Sequence, residues 1–189
     1  MIPLAFINYG GIQAIQTLWA GPWMLNISGY TPLQSATGLF WINITMLISY
    51  FIWGYILPKI SDYGINSIKL IKLGLPISYF SLFLIIYFGN NAGAFLFTIY
   101  IMTSIVISLT QPAIGLNFSK TLAGKSLTSF NVFLFSGTFF VQWGIGLVID
   151  LCNNKGFDIL SSYRISFSLF LFLCVISYTF FIYLNKNEN

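Results

Sequence analysis

Six long apolar runs occupy most of this chain, and they restrict its fold more than any other feature. They lie at about Ile2–Asn26, Leu33–Leu57, Leu70–Phe88, Ala92–Asn117, Leu127–Leu151 and Tyr163–Leu184. At about 1.5 Å of helical rise per residue, each is long enough to cross roughly 30 Å of hydrocarbon. None alternates in blocks of about ten residues, as the strands of a membrane β-barrel must. Only 6% of the 189 residues are charged and 57% are hydrophobic, whereas a soluble domain devotes about 25% to charge in order to solvate its surface. The chain therefore reads as an all-α integral membrane protein, with residues 1–189 forming a single six-helix transmembrane domain and no extramembrane domain. The first run starts at Met1 with no basic residue ahead of it and exceeds a signal-peptide core, so it is read as a retained span.

The same scarcity removes most chemistry. There is no His, and Asp62, Asp150, Asp158 and Glu188 are scattered along the sequence. Metal sites, His-based triads and paired-carboxylate catalysis lack the groups they need. The expectation is a protein that is not an enzyme and uses neither metal nor cofactor. The net charge of +4 suits orientation on an anionic leaflet better than nucleic-acid binding. One set of connections holds Lys59, Lys69, Lys72, Lys120, Lys125 and the tail residue Lys186, and the other only Lys155 and Arg164. Basic short loops stay inside, which predicts both termini in the cytoplasm of a bacterial inner membrane.

Amides are unevenly shared among the spans. Span one carries Asn8, Gln13 and Gln16, span two Asn43, span four Gln111, and span five Asn131 and Gln142; spans three and six carry only hydroxyls in their interiors. An amide facing lipid leaves hydrogen-bonding groups unpaired, so the first set of spans must turn toward protein or water. The pattern of two lining helices and one peripheral helix occurs twice. Three being odd, the second triplet enters the membrane the opposite way, the layout of two inverted three-helix repeats. On span five Asn131, Thr138 and Gln142 project as one stripe at 100° per residue. On span one Gln13 and Gln16 project together, with Trp19 and Trp23 continuing that side.

Other motifs have plainer readings. Residues 119–126, S-K-T-L-A-G-K-S, have Ser119 where a phosphate-binding loop requires its first Gly, and they lie between two spans rather than after a buried strand. Cys152 at the end of span five and Cys174 inside span six differ too much in depth for a disulfide. Gly137, Gly144 and Gly146 read as helix-packing glycines. The many aromatic residues read mainly as interfacial anchors, with Trp19, Trp23 and Trp143 set apart by their neighbouring amides.

The stretch Ala123 to Asp150, A-G-K-S-L-T-S-F-N-V-F-L-F-S-G-T-F-F-V-Q-W-G-I-G-L-V-I-D, resembles the loop and eleventh helix of a major facilitator superfamily transporter. Gln16 to Met24, Q-T-L-W-A-G-P-W-M, is similar to that family's seventh helix. The family's G-x-x-x-D-R-x-G-R-R loop is not kept: Gly54 is followed by Pro58, and Asp62-Tyr63-Gly64 lacks the arginines. The resemblance spans the whole chain and implies the carboxyl-terminal half of such a transporter, with its third and sixth helices peripheral. It further implies a second six-helix half as partner, from the same gene, a separate subunit or a second copy. The expected function is alternating-access transport of a small polar solute. Gln13, Gln16, Asn43, Thr138 and Gln142 would hydrogen-bond the solute, and Trp19 and Trp143 would contact its apolar parts. The alternative is a non-transporting membrane scaffold or transporter remnant whose amides only join helices.

Overall fold

The computed structural model describes residues 1–186, and among these it is helical without strands. The elements are α1 (Ile2–Ala14), a π-helical turn (Ile15–Trp19), α2 (Ala20–Asn26), α3 (Pro32–Ser61), α4 (Ser67–Phe88), α5 (Ala94–Ser104), a 3-10 segment (Ile105–Leu109), α6 (Thr110–Leu116), α7 (Lys120–Asn154) and α8 (Ile159–Leu184). Five stretches are long and apolar enough to cross a membrane: Pro32–Ser61, Ser67–Asn91, Ala94–Leu116, Thr121–Asn154 and Ile159–Leu184. The first apolar run is helical from Ile2 to Asn26 but is divided by the π turn.

Polar side chains start several of these helices. Thr31 and Gln34 form a reciprocal capping box ahead of α3, while the Asn66 and Asp158 side chains accept backbone N–H groups at the starts of α4 and α8. Prolines shape the interiors. A helical proline has no N–H, and its ring crowds the carbonyl four residues earlier. Pro22 stands in that relation to Leu18, and the preceding turn widens so that the Ala20 N–H reaches the Ile15 carbonyl, five residues back. Pro112 stands likewise to Ser108, and there the preceding turn tightens into the 3-10 segment. Pro76 denies the Lys72 carbonyl its helical donor, and the Tyr178 hydroxyl of α8 supplies one at 2.6 Å.

The helices form two sets. Along one side α1 packs against α7, and α3 against α5; behind them α4 lies against α5 and α8, and α8 against α1 and α7. Two backbones approach closely at Gly10 and Gly137. A Cβ on Gly10 would stand 2.5 Å from the Gly137 carbonyl carbon, and one on Gly137 would stand 2.2 Å from the Phe6 oxygen. Gly146 lets the Trp19 ring lie against α7, whereas Gly144 faces open space. The glycines of span five thus divide between packing and none, and the essential partner, Gly10, lies on span one.

The interior is aromatic where α2, α5 and α8 meet. Trp23 is fully buried, stacked on Phe167 at 5.0 Å and edge-on to Phe97 and Tyr163. Asn8 is satisfied within the protein: it donates to the Leu4 carbonyl and to Ser177 Oγ, and accepts from the Tyr79 hydroxyl at 2.9 Å. It joins α1 to α4 and α8 and lines nothing. Both cysteines are free and buried.

Candidate functional site

The polar residues of α1, the π turn, α3 and α7 gather on the exposed side of the bundle. Within the π turn, consecutive residues reach different neighbours. Gln16 Nε2 donates to Asn43 Oδ1 of α3, and Asn43 Nδ2 donates to the Leu39 carbonyl of its own helix. Thr17 Oγ1 accepts from Gln142 Nε2 of α7 at 2.8 Å and donates to the Gln13 carbonyl at 2.6 Å. The π turn therefore ties α3 to α7 through side chains that carry no charge.

Below this tie, toward the end of α3 that carries Lys59, a cleft of about 540 Å³ opens between α1, α3 and the 3-10 segment with α6. Gln13, Tyr9, Tyr50, Trp53, Ser108 and Gln111 supply its polar and aromatic walls. Gln13 Nε2 points to the Tyr9 hydroxyl at 3.4 Å, a long contact. A volume of this size lies within the range of small-molecule sites.

The expected residues separate accordingly. Gln13 lines the cleft. Gln16, Asn43 and Gln142 are engaged in the tie above it. Thr138 is half-buried and donates to the Leu134 carbonyl of its own helix, one turn back. Trp19 packs edge-on to Tyr163 at 6.0 Å and against Gly146, with its indole N–H buried and unpartnered. Trp143 is 58% exposed and lies beside a separate shallow hollow with Gly146, Leu147 and Asp150.

A 100° helical projection joined Gln13, Gln16, Trp19 and Trp23 on one side. The π turn breaks that projection, because its wider winding rotates every residue beyond Ile15 relative to those before it. Trp23 consequently turns inward onto α8. Sequence reasoning passed over Thr17, Tyr9, Tyr50, Trp53 and Ser108. One signal pointed to the right region: Pro58 and Pro112 each stand four residues after a residue lining the cleft, Gly54 and Ser108.

Among the described residues no group of His, Cys, Asp or Glu is placed to hold a metal ion. No protein-family model, curated protein or solved structure matches the chain.

Proposed function

We propose that this chain is one six-helix half of a secondary transporter of the major facilitator type, with its helices arranged as two inverted three-helix repeats. In this reading it moves a small polar solute across a bacterial inner membrane by alternating access, both termini lie in the cytoplasm, and a second six-helix half completes the path.

The observation that carries the reading is a pair of matched interruptions. The π turn Ile15–Trp19 and the 3-10 segment Ile105–Leu109 lie ninety positions apart, and each begins seven residues before a proline, Pro22 or Pro112. Interrupted helices at corresponding places in two repeats are the usual position of a transporter's solute site, and here the polar cleft is lined by Ser108 and Leu109 of the 3-10 segment and by Gln13, two residues before the π turn. The packing supports the same exchange. α1 against α7 corresponds to α5 against α3, α4 against α5 corresponds to α8 against α1, and α4 with α8 corresponds to itself. Two relations depart from it: α7 packs along α8, while α3 makes at most marginal backbone contact with α4, and α4 packs along the 3-10 segment and α6, while α8 makes at most marginal backbone contact with the π turn and α2.

The scaffold reading has its own observation, since Gln16–Asn43 and Gln142–Thr17 already satisfy one another between helices. The deciding experiment is solute uptake into proteoliposomes holding the chain with and without any six-span protein that co-purifies with it. Saturable flux that needs the partner and falls with Gln142→Leu supports the transporter half. Saturable flux from the chain alone as a monomer rejects the half reading, and a stable complex without flux favours the scaffold.

A further inference from the structure

The cleft combines two kinds of neutral acceptor. Pro58 lacks the N–H group that would bond the carbonyl of Gly54 in an uninterrupted α-helix, whereas the Ser108 carbonyl, denied its helical donor by Pro112, accepts from the Thr110 N–H. Gly54 of α3 and Ser108 of the 3-10 segment both line the cleft. The same proline chemistry at Pro76 is answered within the protein, because Tyr178 donates to the Lys72 carbonyl. Beside Gly54 and Ser108 stand the side-chain amides of Gln13 and Gln111, whose oxygens add two more acceptors.

Tyr9, Tyr50 and Trp53 supply flat apolar surface with polar edges, and no lining residue carries a charge. A charged solute entering here would leave water without a counter-charge from this chain. A cleft of about 540 Å³ walled by three aromatic rings is far larger than a bare ion needs.

We propose that the cleft between α1, α3 and residues 105–112 binds an uncharged solute that donates several hydrogen bonds and presents a flat apolar face. The proline-released carbonyl of Gly54, with the side-chain oxygens of Gln13 and Gln111, receives its donors, and Tyr50 and Trp53 cover its face. The assignment rests on the transporter-half reading for its biological setting, but binding is measured independently of flux.

The test is equilibrium dialysis of the full chain in lipid nanodiscs. The probes are 4-nitrophenyl β-glucoside, its tetra-O-methyl ether, 4-nitrophenyl phosphate, 4-nitrobenzylamine and sodium ion. The glucoside should bind saturably, and the methylated, anionic and cationic aromatic probes should bind weaker by on the order of tenfold or more. Gln111→Leu should abolish the saturable component, and Phe172→Leu on the outer surface of α8 should leave it unchanged. Pro58→Ala returns a helical N–H toward Gly54 without removing any polar side chain, and should weaken binding several-fold while the helix content holds. Equal or tighter binding of a charged probe, displacement of the glucoside by sodium, insensitivity to Gln111→Leu, or no saturable binding by any probe would each overturn the proposal. Flux of a charged solute in the assembled transporter would reject this solute class and leave the transporter reading intact. Binding as expected without flux in any complex would do the reverse.

Discussion

Arg164 of α8 donates from Nε to the carbonyl of Ile86, 2.9 Å away, and from a terminal nitrogen to the carbonyl of Tyr87, so that a cation near the start of one helix closes the end of another. Lys72, five residues into α4 as Arg164 is five into α8, donates in return to the Asn185 carbonyl just past the end of α8 at 2.8 Å. The last carbonyls of a helix lack intrahelical donors and carry partial negative charge, so each cation answers both needs. These two helices are thereby fastened antiparallel at both ends. Arg164→Leu should lower the unfolding free energy by about 1.5–3 kcal/mol, the order of a hydrogen bond to a charged group. Arg164→Lys should recover part of it. Thermal unfolding in a fixed detergent measures this, and an unchanged midpoint for Arg164→Leu would refute the fastening.

The Gly10–Gly137 crossing makes a sharper prediction. Gly137→Ala places a methyl group against the Phe6 backbone, which has no flexible side chain to withdraw. Forced separation of α1 and α7 should destabilise the fold by about 1–3 kcal/mol, as overpacking does. Gly144→Ala, facing open space on the same helix, should be neutral or slightly stabilising. Equal behaviour of the two variants would show that the crossing is looser than described.

Buried polar groups behave differently again at Asn8. Tyr79→Phe removes the donor to Asn8 Oδ1 and leaves that oxygen unpaired, at a cost of about 1–2 kcal/mol. In an Asn8→Leu background the same substitution should cost much less, because no acceptor remains. A double-mutant cycle reads the coupling directly. Additive effects would mean that Asn8 and Tyr79 do not act as a pair.

Asp158 caps α8, accepting from the Ser161 N–H at 3.1 Å and the Ser161 hydroxyl at 2.6 Å. The Ser161 hydroxyl and backbone N–H hold its carboxyl below the usual value of 3.8. A carboxyl lowered by folding stabilises the helix start above its unfolded value, and that contribution disappears as the pH falls through the folded value. Carbonyl-carbon NMR should show Asp158 titrating below 3.8. Asp158→Asn, which keeps an acceptor, should lose the pH dependence while preserving amide protection at Ser161. A titration at or above 3.8 would contradict the cap.

What the sequence made legible, and what it left hidden, follows one physical division. Hydrophobic length alone marked where apolar helices lie, because lipid demands about twenty residues of internally bonded backbone and little else satisfies that demand. Amide positions were read as one lining face, yet Asn8 turns to α4 and α8, Gln16 and Gln142 bond neighbouring helices, and only Gln13 and Gln111 face the cleft. Helical projection assumes constant winding, and the π turn violates that assumption at Gln16. Pro22, Pro58, Pro76 and Pro112 each remove a donor from the backbone ladder, a signal that hydrophobic length and helical projection leave unused, and which neighbour answers each loss depends on packing across helices. Tyr178 lies about a hundred residues from the carbonyl it serves.

The orientation can be tested with cysteines, but not with the native pair. Cys152, near the end of α7, is 9% exposed, and Cys174 is 2% exposed, so neither reports membrane side faithfully to a bulky reagent. Asn154 and Lys125 are exposed near opposite ends of α7. The bias of basic residues toward the connections at Lys59–Lys72 and Lys120–Lys125 predicts Lys125 inside and Asn154 outside, to be read in a background of Cys152→Ser and Cys174→Ala. In intact cells an impermeant maleimide should label Asn154→Cys directly and Lys125→Cys only after permeabilisation. Because the two positions lie on one continuous helix, a single inversion of the protein reverses both results together. That reversed pair would overturn the orientation, and labelling of both from outside would show that α7 does not cross the membrane.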